Sequence, residues 1–146
     1  MKAEQQTLQV KTIVKASKQR VFAAWSQSEL LQKWFAPGDM TVAHAEVEFR
    51  VGGLYLIRMQ RENGEQPTVC GQYKEIIPEK RLVFTWKWQG SSEEETLVTV
   101  ELSEVPEGTE VRVTHEKLAS TELLERHLQG WQGCLDKLSN TIGELL

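Results

Sequence analysis

The chain holds three histidines, and two of them stand where chemistry would need them. His115 continues the parity of Val111 and Val113 in a run that alternates apolar and polar residues. His127 lies four residues before Trp131, beside the apolar stripe of a C-terminal helical pattern. Both are expected to face one interior space. There an imidazole can hold a backbone carbonyl, orient a ligand in an otherwise apolar pocket, or serve as a general base. A second constellation consists of Trp34, Met59, Tyr73, Phe84, Trp86 and Trp131, large side chains that are either plain core or the lining of a cavity. Together the eight form the candidate ligand-binding set. Trp34, beside Pro37-Gly38, is its expected entrance, because loops at a pocket mouth are the parts able to move.

Other chemistries find little support. The sequence has no Gly-x-Ser-x-Gly elbow, no phosphate-binding Gly-x-x-x-x-Gly-Lys-Ser/Thr, no dinucleotide glycine fingerprint and no His-Glu-x-x-His. No catalytic residue, metal ligand or cofactor is assigned. Cys70 and Cys134 lie far apart and near no histidine, which fits reduced thiols in the cytoplasm better than a zinc site or a disulfide framework. Glu46, Glu48 and Arg50 share one strand parity opposite an apolar one, so they read as a solvated ion-paired face rather than a catalytic carboxylate pair.

The elements that must position these groups follow from the periodicity. Leu8, Val10 and Thr12 alternate with polar neighbours and predict a strand over residues 7 to 14. Two short helices follow, capped by Ser17 and Ser28, with Val21, Phe22, Trp25, Leu30, Leu31 and Trp34 at three- and four-residue intervals. From Thr41 the period becomes two. Ala43, Ala45, Val47 and Phe49 mark one face; Gly52-Gly53 turns the chain; and Leu54 to Gln60 is apolar on both parities until Arg58, which predicts a strand covered on both sides. Val69 to Ile77, then the row Leu82, Phe84, Trp86 and Trp88, then Val98 to Leu102 and Val111 to His115 complete the strands, separated by Pro78-Glu79-Lys80 and Pro106-Glu107-Gly108. The strands should end near Glu116. Beyond them Leu124, Leu128, Trp131, Leu135, Leu138 and Ile142 form one stripe on a helix over residues 120 to 146, with Ser120 or Thr121 as its cap. Glu93-Glu94-Glu95 marks an exposed turn.

This is an α+β pattern: a curved antiparallel sheet of about seven strands wrapped around a long C-terminal helix, within one domain spanning 1-146. A sheet bent round one helix encloses more volume than the helix stripe fills, so part of the lining should border a cavity. A formal net charge of -4 without any dense Lys/Arg run argues against nucleic acid, and no stretch of about 18 apolar residues suggests a membrane span.

Five separated motifs then carry a resemblance. Val21-Phe22-Ala23-Ala24-Trp25, Leu31-Gln32-Lys33-Trp34-Phe35-Ala36-Pro37, Glu48-Phe49-Arg50-Val51-Gly52-Gly53, the pair Gly71 to Pro78 with Arg81 to Trp86, and Gly130-Trp131 resemble the family of homologues of the activator of heat-shock protein 90 ATPase. That family lies within the helix-grip superfamily of START domains and the birch-pollen allergen. Glu48 stands where the family more often has Asp, and Lys18 where its first helix often opens with Pro. The resemblance implies the helix-grip fold and no shared catalytic motif. Three functions compete: a protein that binds a hydrophobic aromatic or acyl molecule unchanged, a co-chaperone-like domain acting on heat-shock protein 90, and a cyclase- or dehydratase-type enzyme with a pocket histidine. Monomer and homodimer, the latter through an exposed strand edge, are both compatible with the sequence.

Overall fold

The alternating and helical periods resolve into ten elements: β1 (Gln6–Val14), α1 (Lys18–Ser26), α2 (Ser28–Trp34), β2 (Thr41–Val47), β3 (Leu54–Gln60), β4 (Thr68–Ile77), β5 (Arg81–Trp88), β6 (Thr96–Val105), β7 (Gly108–Leu118) and α3 (Thr121–Leu145). They are seen in a computed structural model that describes residues 5–145; residues 1–4, and 146 at the end of the predicted last helix, lie outside the described residues.

The seven strands form one antiparallel sheet in the order β1-β7-β6-β5-β4-β3-β2. Successive strands from β2 to β7 pair as a meander, and β1 joins on the far side of β7, with Val10 opposite Val113. The α1–α2 pair crosses from one end of this order to the other, which is why the two edge strands are β1 and β2. Each edge has a helix beside it: α3 packs along β1, and α2 along β2. An edge so flanked is a poorer template for pairing with another chain.

Local rules explain the boundaries. Ser17 takes extended backbone angles and its hydroxyl accepts from the Arg20 amide, ending one orphan donor of α1. Ser28 does not cap α2. The cap is Gln27, in extended conformation with no side-chain bond, because α1 and α2 are separated by that single residue and Ser28 is already helical. At α3 the choice between Ser120 and Thr121 falls to Ser120, whose hydroxyl accepts from the Leu123 amide at 3.2 Å. The Thr121 hydroxyl instead bonds Gln6 on β1.

Two strand expectations need correction. The register of β2 against β3 slips between Val42 and His44, so Ala43 is left as an extra residue and is exposed, while Val42 turns toward the core with Ala45 and Val47. In β3 only Tyr55, Ile57 and Met59 are buried; Leu54 is 58% exposed. The apolar residues of its other parity look outward, so this strand is not covered on both sides.

Helix α3 lies across the concave face. Trp131, Leu135, Leu138 and Ile142 are buried, each worth about 1.5–3 kcal/mol of burial. Leu124 and Leu128, at its N-terminal end, are only half-buried. The stripe is thus continuous in sequence but seated only along its C-terminal half, and the loose end is where the interior opens. In the sheet, Gly71 allows a close crossing: a Cβ there would lie 2.8 Å from Tyr55 Cε1 and nearer still to the Thr85 carbonyl. Tyr55 Oη donates to that same carbonyl. Replacing Gly71 with Ala should therefore destabilise the protein by at least about 2 kcal/mol in urea unfolding, since backbone cannot retreat as a flexible side chain can.

Candidate functional site

The row Leu82, Phe84, Trp86, Trp88 on β5 divides the interior into two unequal parts. Around Phe84 the space is filled. Tyr55, Tyr73 and Phe84 pack edge to face or tilted with centroids 5.5–6.1 Å apart, and Phe49 closes on Tyr73 at 5.2 Å. Trp25 and Phe35 complete this cluster, leaving a void of only about 20 Å³. Around Trp86 and Trp88 the space is open. A cavity of about 350 Å³ lies between β3, β4 and β5 on one side and α3 on the other, lined among others by Met40, Met59, Trp86, Trp88 and Trp131.

Four of the eight predicted residues border this cavity: Met59, Trp86, His127 and Trp131. Tyr73 and Phe84 belong to the filled end. Trp34 is not an entrance. It is fully buried, donates from Nε1 to the Ala24 carbonyl at 3.0 Å, and stacks edge-on to Trp25 at 4.7 Å. The loop after α2 does reach the opening, but through Pro37 and Met40. Two contacts fix that loop against α3: Lys137 Nζ donates to the Met40 carbonyl at 2.9 Å, and Gly133 lets Pro37 approach so closely that a Cβ would sit 2.8 Å from Pro37 Cβ.

His115 lies one layer behind the cavity wall, fully buried. Its partners assign its proton. Trp131 Nε1–H donates to Nδ1 at 3.0 Å, so the ring is neutral with hydrogen on Nε2, which donates to Thr96 Oγ1 at 2.7 Å; that hydroxyl passes its own hydrogen to the Trp86 carbonyl at 3.2 Å. Trp131 Nε1–H, both ring nitrogens of His115 and the Thr96 hydroxyl are thus all satisfied. Burial, with His127 as a lesser cause, pushes the His115 pKa down to about 3.

His127 is arranged as a mirror of this. Nδ1–H donates to the Leu123 carbonyl one turn back at 2.8 Å, and Nε2 accepts from Trp88 Nε1–H at 3.0 Å. Burial lowers its pKa, opposed by the bond to Leu123 and by the Glu93 carboxylate and aided by Arg126. The two imidazoles are 4.9 Å apart, centroid to centroid, at 68°. Both acceptor nitrogens are occupied by indole donors, so neither imidazole has a free lone pair for a substrate proton.

Several lining residues lie outside the set expected from the sequence. Trp88 was legible, since it shares the parity of Trp86. Arg61, Glu93, Arg126 and Cys134 were not: they come from a turn, another turn and two helix positions that only the folded chain brings to one opening. Glu93, in the acidic triplet expected to be a plain exposed turn, is half-buried at the mouth, 4.0 Å from Arg126. Cys134 is buried in the wall and its thiol pKa is pushed up to about 12, which leaves it a neutral apolar filler. Cys70 and Cys134 are both free. On the outer face His44 pairs with Glu46 at 2.9 Å and Arg50 with Glu48 at 3.4 Å, all exposed. Glu48 also accepts from the Leu54 amide, which closes the β2–β3 hairpin. No group of residues able to hold a metal ion occurs among the described residues, and no described helix is long and apolar enough to cross a membrane.

Solved structures share this architecture. A protein of Chromobacterium violaceum superposes with a TM-score of 0.83 at 23% identity, covering 93% of this chain and 96% of that one. A protein of Rhizobium leguminosarum reaches 0.81 at 27%, covering 97% and 96%. The AHSA1 protein of Silicibacter pomeroyi gives 0.83 at 23%, covering 94% and 98%. Nothing matches among curated proteins. Residues 15–143 match the family described as "Activator of Hsp90 ATPase homolog 1-like protein", a span that takes in α1, α2, the whole meander and all but the last two residues of α3. On that match, with the seven-stranded sheet and the three helices in the same order, the chain belongs to the Activator of Hsp90 ATPase homolog 1-like family.

Proposed function

We propose that this is a binding protein for a small hydrophobic molecule, aromatic or acyl in character, held in the cavity between the sheet and α3 without chemical change, and that it works in the cytoplasm. One observation carries the reading. The interior is packed down to a void of about 20 Å³ at the Tyr55–Phe84 end and left open, at about 350 Å³, at the Trp86–Trp131 end. That volume lies within the range of small-molecule sites, and its wall is of the expected kind, apolar and aromatic with few polar groups. A protein with no use for the space would gain stability by filling it.

The enzyme alternative finds its two candidate bases engaged. His115 and His127 serve as acceptors for Trp131 and Trp88, which makes them positioning groups for the indoles of the wall. The co-chaperone alternative draws on a different surface. An open groove of about 540 Å³ on the outer face is lined by Leu54 and Leu56 with Glu46, Glu48 and Glu95, and Val51 beside it is 61% exposed. An apolar strip with acidic borders suits a protein partner of basic character. Pull-down of a heat-shock protein 90 by the wild type, and its loss in Leu54→Asp, would support that second reading; equal capture by both would remove it.

Gly130 offers a direct test of the cavity reading. It lines the cavity, sits mid-helix, and a Cβ there would meet nothing within 4 Å. Gly130→Leu should raise stability by about 1 kcal/mol through helix propensity. It should also weaken binding of a fluorescent apolar dye at least about tenfold, as the side chain occupies the ligand's space. Undiminished dye binding in a folded variant would be fatal to the reading.

The histidine roles predict a pH signature. His115 has a folded pKa of about 3 against an ordinary 6.5. Between those values the unfolded chain takes up a proton that the folded chain refuses, so His115 favours folding above pH 6.5 and that contribution is lost as pH falls toward 3, at up to about 1.4 kcal/mol per pH unit. His115→Phe removes this dependence but leaves the Trp131 N–H without its acceptor, at about 1–3 kcal/mol near neutral pH. The wild type's advantage in urea midpoint should therefore be present at pH 7, shrink as pH falls below 6.5, and be lost or reversed by pH 4. A gap that stays constant across that range would refute the neutral buried imidazole.

A further inference from the structure

The cavity does not end against solid core. A second pocket, of about 70 Å³, adjoins it, and the two share the lining residues Trp86, Trp88, Glu93 and His127. That volume is several times what a single water molecule needs, so the end of a small organic molecule has room in it.

The remaining lining residues fall in chain order on either side of the shared ones. Along α3, Leu123 borders only the smaller pocket and Gly130 only the larger, with His127 about one turn from each. Along the β5–β6 connection, Gln89 and Ser91 border only the larger pocket, Glu94 and Thr96 only the smaller, and Glu93 both. The two pockets are therefore consecutive lengths of one seam between the helix and the β5–β6 connection.

Of the shared residues, Glu93 belongs to the mouth and Trp86 is buried behind, its ring 5.6 Å from Trp88 and 6.3 Å from His127. Trp88 and His127 are half-buried and meet across the seam, one from the sheet and the other from the helix, with Trp88 Nε1–H donating to His127 Nε2 at 3.0 Å. The imidazole is held from its other side by the bond from Nδ1–H to the Leu123 carbonyl. This cross-tie is thus placed between the two spaces, braced by a third ring and by the helix backbone.

We propose that the Trp88–His127 pair is the partition that sets the size of ligand this protein accepts: it closes the cavity on the side of the smaller pocket, which is a continuation of the same binding space held shut; this rests on the binding function proposed above. A chain that grows toward the partition gains apolar contact with each methylene, about fourfold in affinity, until it meets the paired rings, and further methylenes gain nothing.

Linear alkanols from butanol to dodecanol, displacing a fluorescent apolar dye, read that limit. In the wild type, affinity should rise with chain length and then level off. Trp88→Ala removes the sheet half of the partition and should carry the rise on to longer chains, so that the ratio of dodecanol to butanol affinity grows at least about tenfold. His127→Ala opens the seam from the helix side and gives the same comparison should the Trp88 variant fold poorly. Adding Leu123→Trp to either variant fills the smaller pocket and should return the limit to its wild-type length, which a cavity merely enlarged would not do. The proposal is overturned if the wild type shows no levelling, if loss of either ring leaves the ratio unchanged, or if the longer limit survives Leu123→Trp. Failure of the wild type to bind both dye and alkanols would overturn the cavity reading itself, and the two failures are told apart before any variant is made.

Discussion

Trp131 on α3 donates to His115 on β7, and Trp88 on β5 donates to His127 on α3, so helix and sheet are tied by two hydrogen bonds that run in opposite directions. Each requires a neutral imidazole, because a protonated ring would present a donor to a donor. Burial enforces that neutrality at His115, and largely at His127. With the helix held at these two points, the indoles between them have fixed positions and the wall of the cavity is rigid. Were the histidines charged, the cross-ties would fail together, since the rings lie 4.9 Å apart and would also repel one another.

The same ties explain why the cavity survives. A helix free to settle would sink its N-terminal half onto the sheet and bury Leu124 and Leu128 fully. Instead its C-terminal half is seated by Leu135, Leu138 and Ile142, and its middle is held off by Trp131 and by the Pro37 loop packed at Gly133. Arg20 on α1 donates to the Ile142 carbonyl and so fixes the far end as well. The open volume is the space between those props.

Much of this was legible in the residues. The change from a period of three or four to a period of two at Thr41 marks where helices give way to the meander, and five motifs in order carry the family resemblance. The parity of β5 put Phe84, Trp86 and Trp88 on one face, and the parity of β7 put His115 inward. What parity cannot supply is position along the face. Phe84 and Trp86 point to the same side of the same strand, yet one ends in packed core and the other in the cavity, because the deciding neighbours are Tyr55, Tyr73 and Phe35 in one case and Met59 and His127 in the other. Trp34 was misplaced for a related reason: proximity in sequence to a loop at the mouth says nothing of which way a side chain turns at a helix end. The Ala43 slip is of the same kind, as one extra residue reverses the parity on which the reading relied.

Access to the cavity follows from how weakly its mouth is closed. At the rim the β5–β6 turn is linked to α3 by Glu93 with Arg126, at 4.0 Å, with the Arg126 side chain 63% exposed and already shared with Glu122. A solvent-screened pair of that kind contributes at most about 1 kcal/mol. The turn itself is braced internally, since Lys87 Nζ donates to the carbonyls of both Ser91 and Glu93 and the Ser91 hydroxyl accepts from the Glu93 amide. On the binding function proposed above, a ligand would meet only this exposed ion pair at the rim, while the Trp88–His127 bond belongs to the wall beneath it.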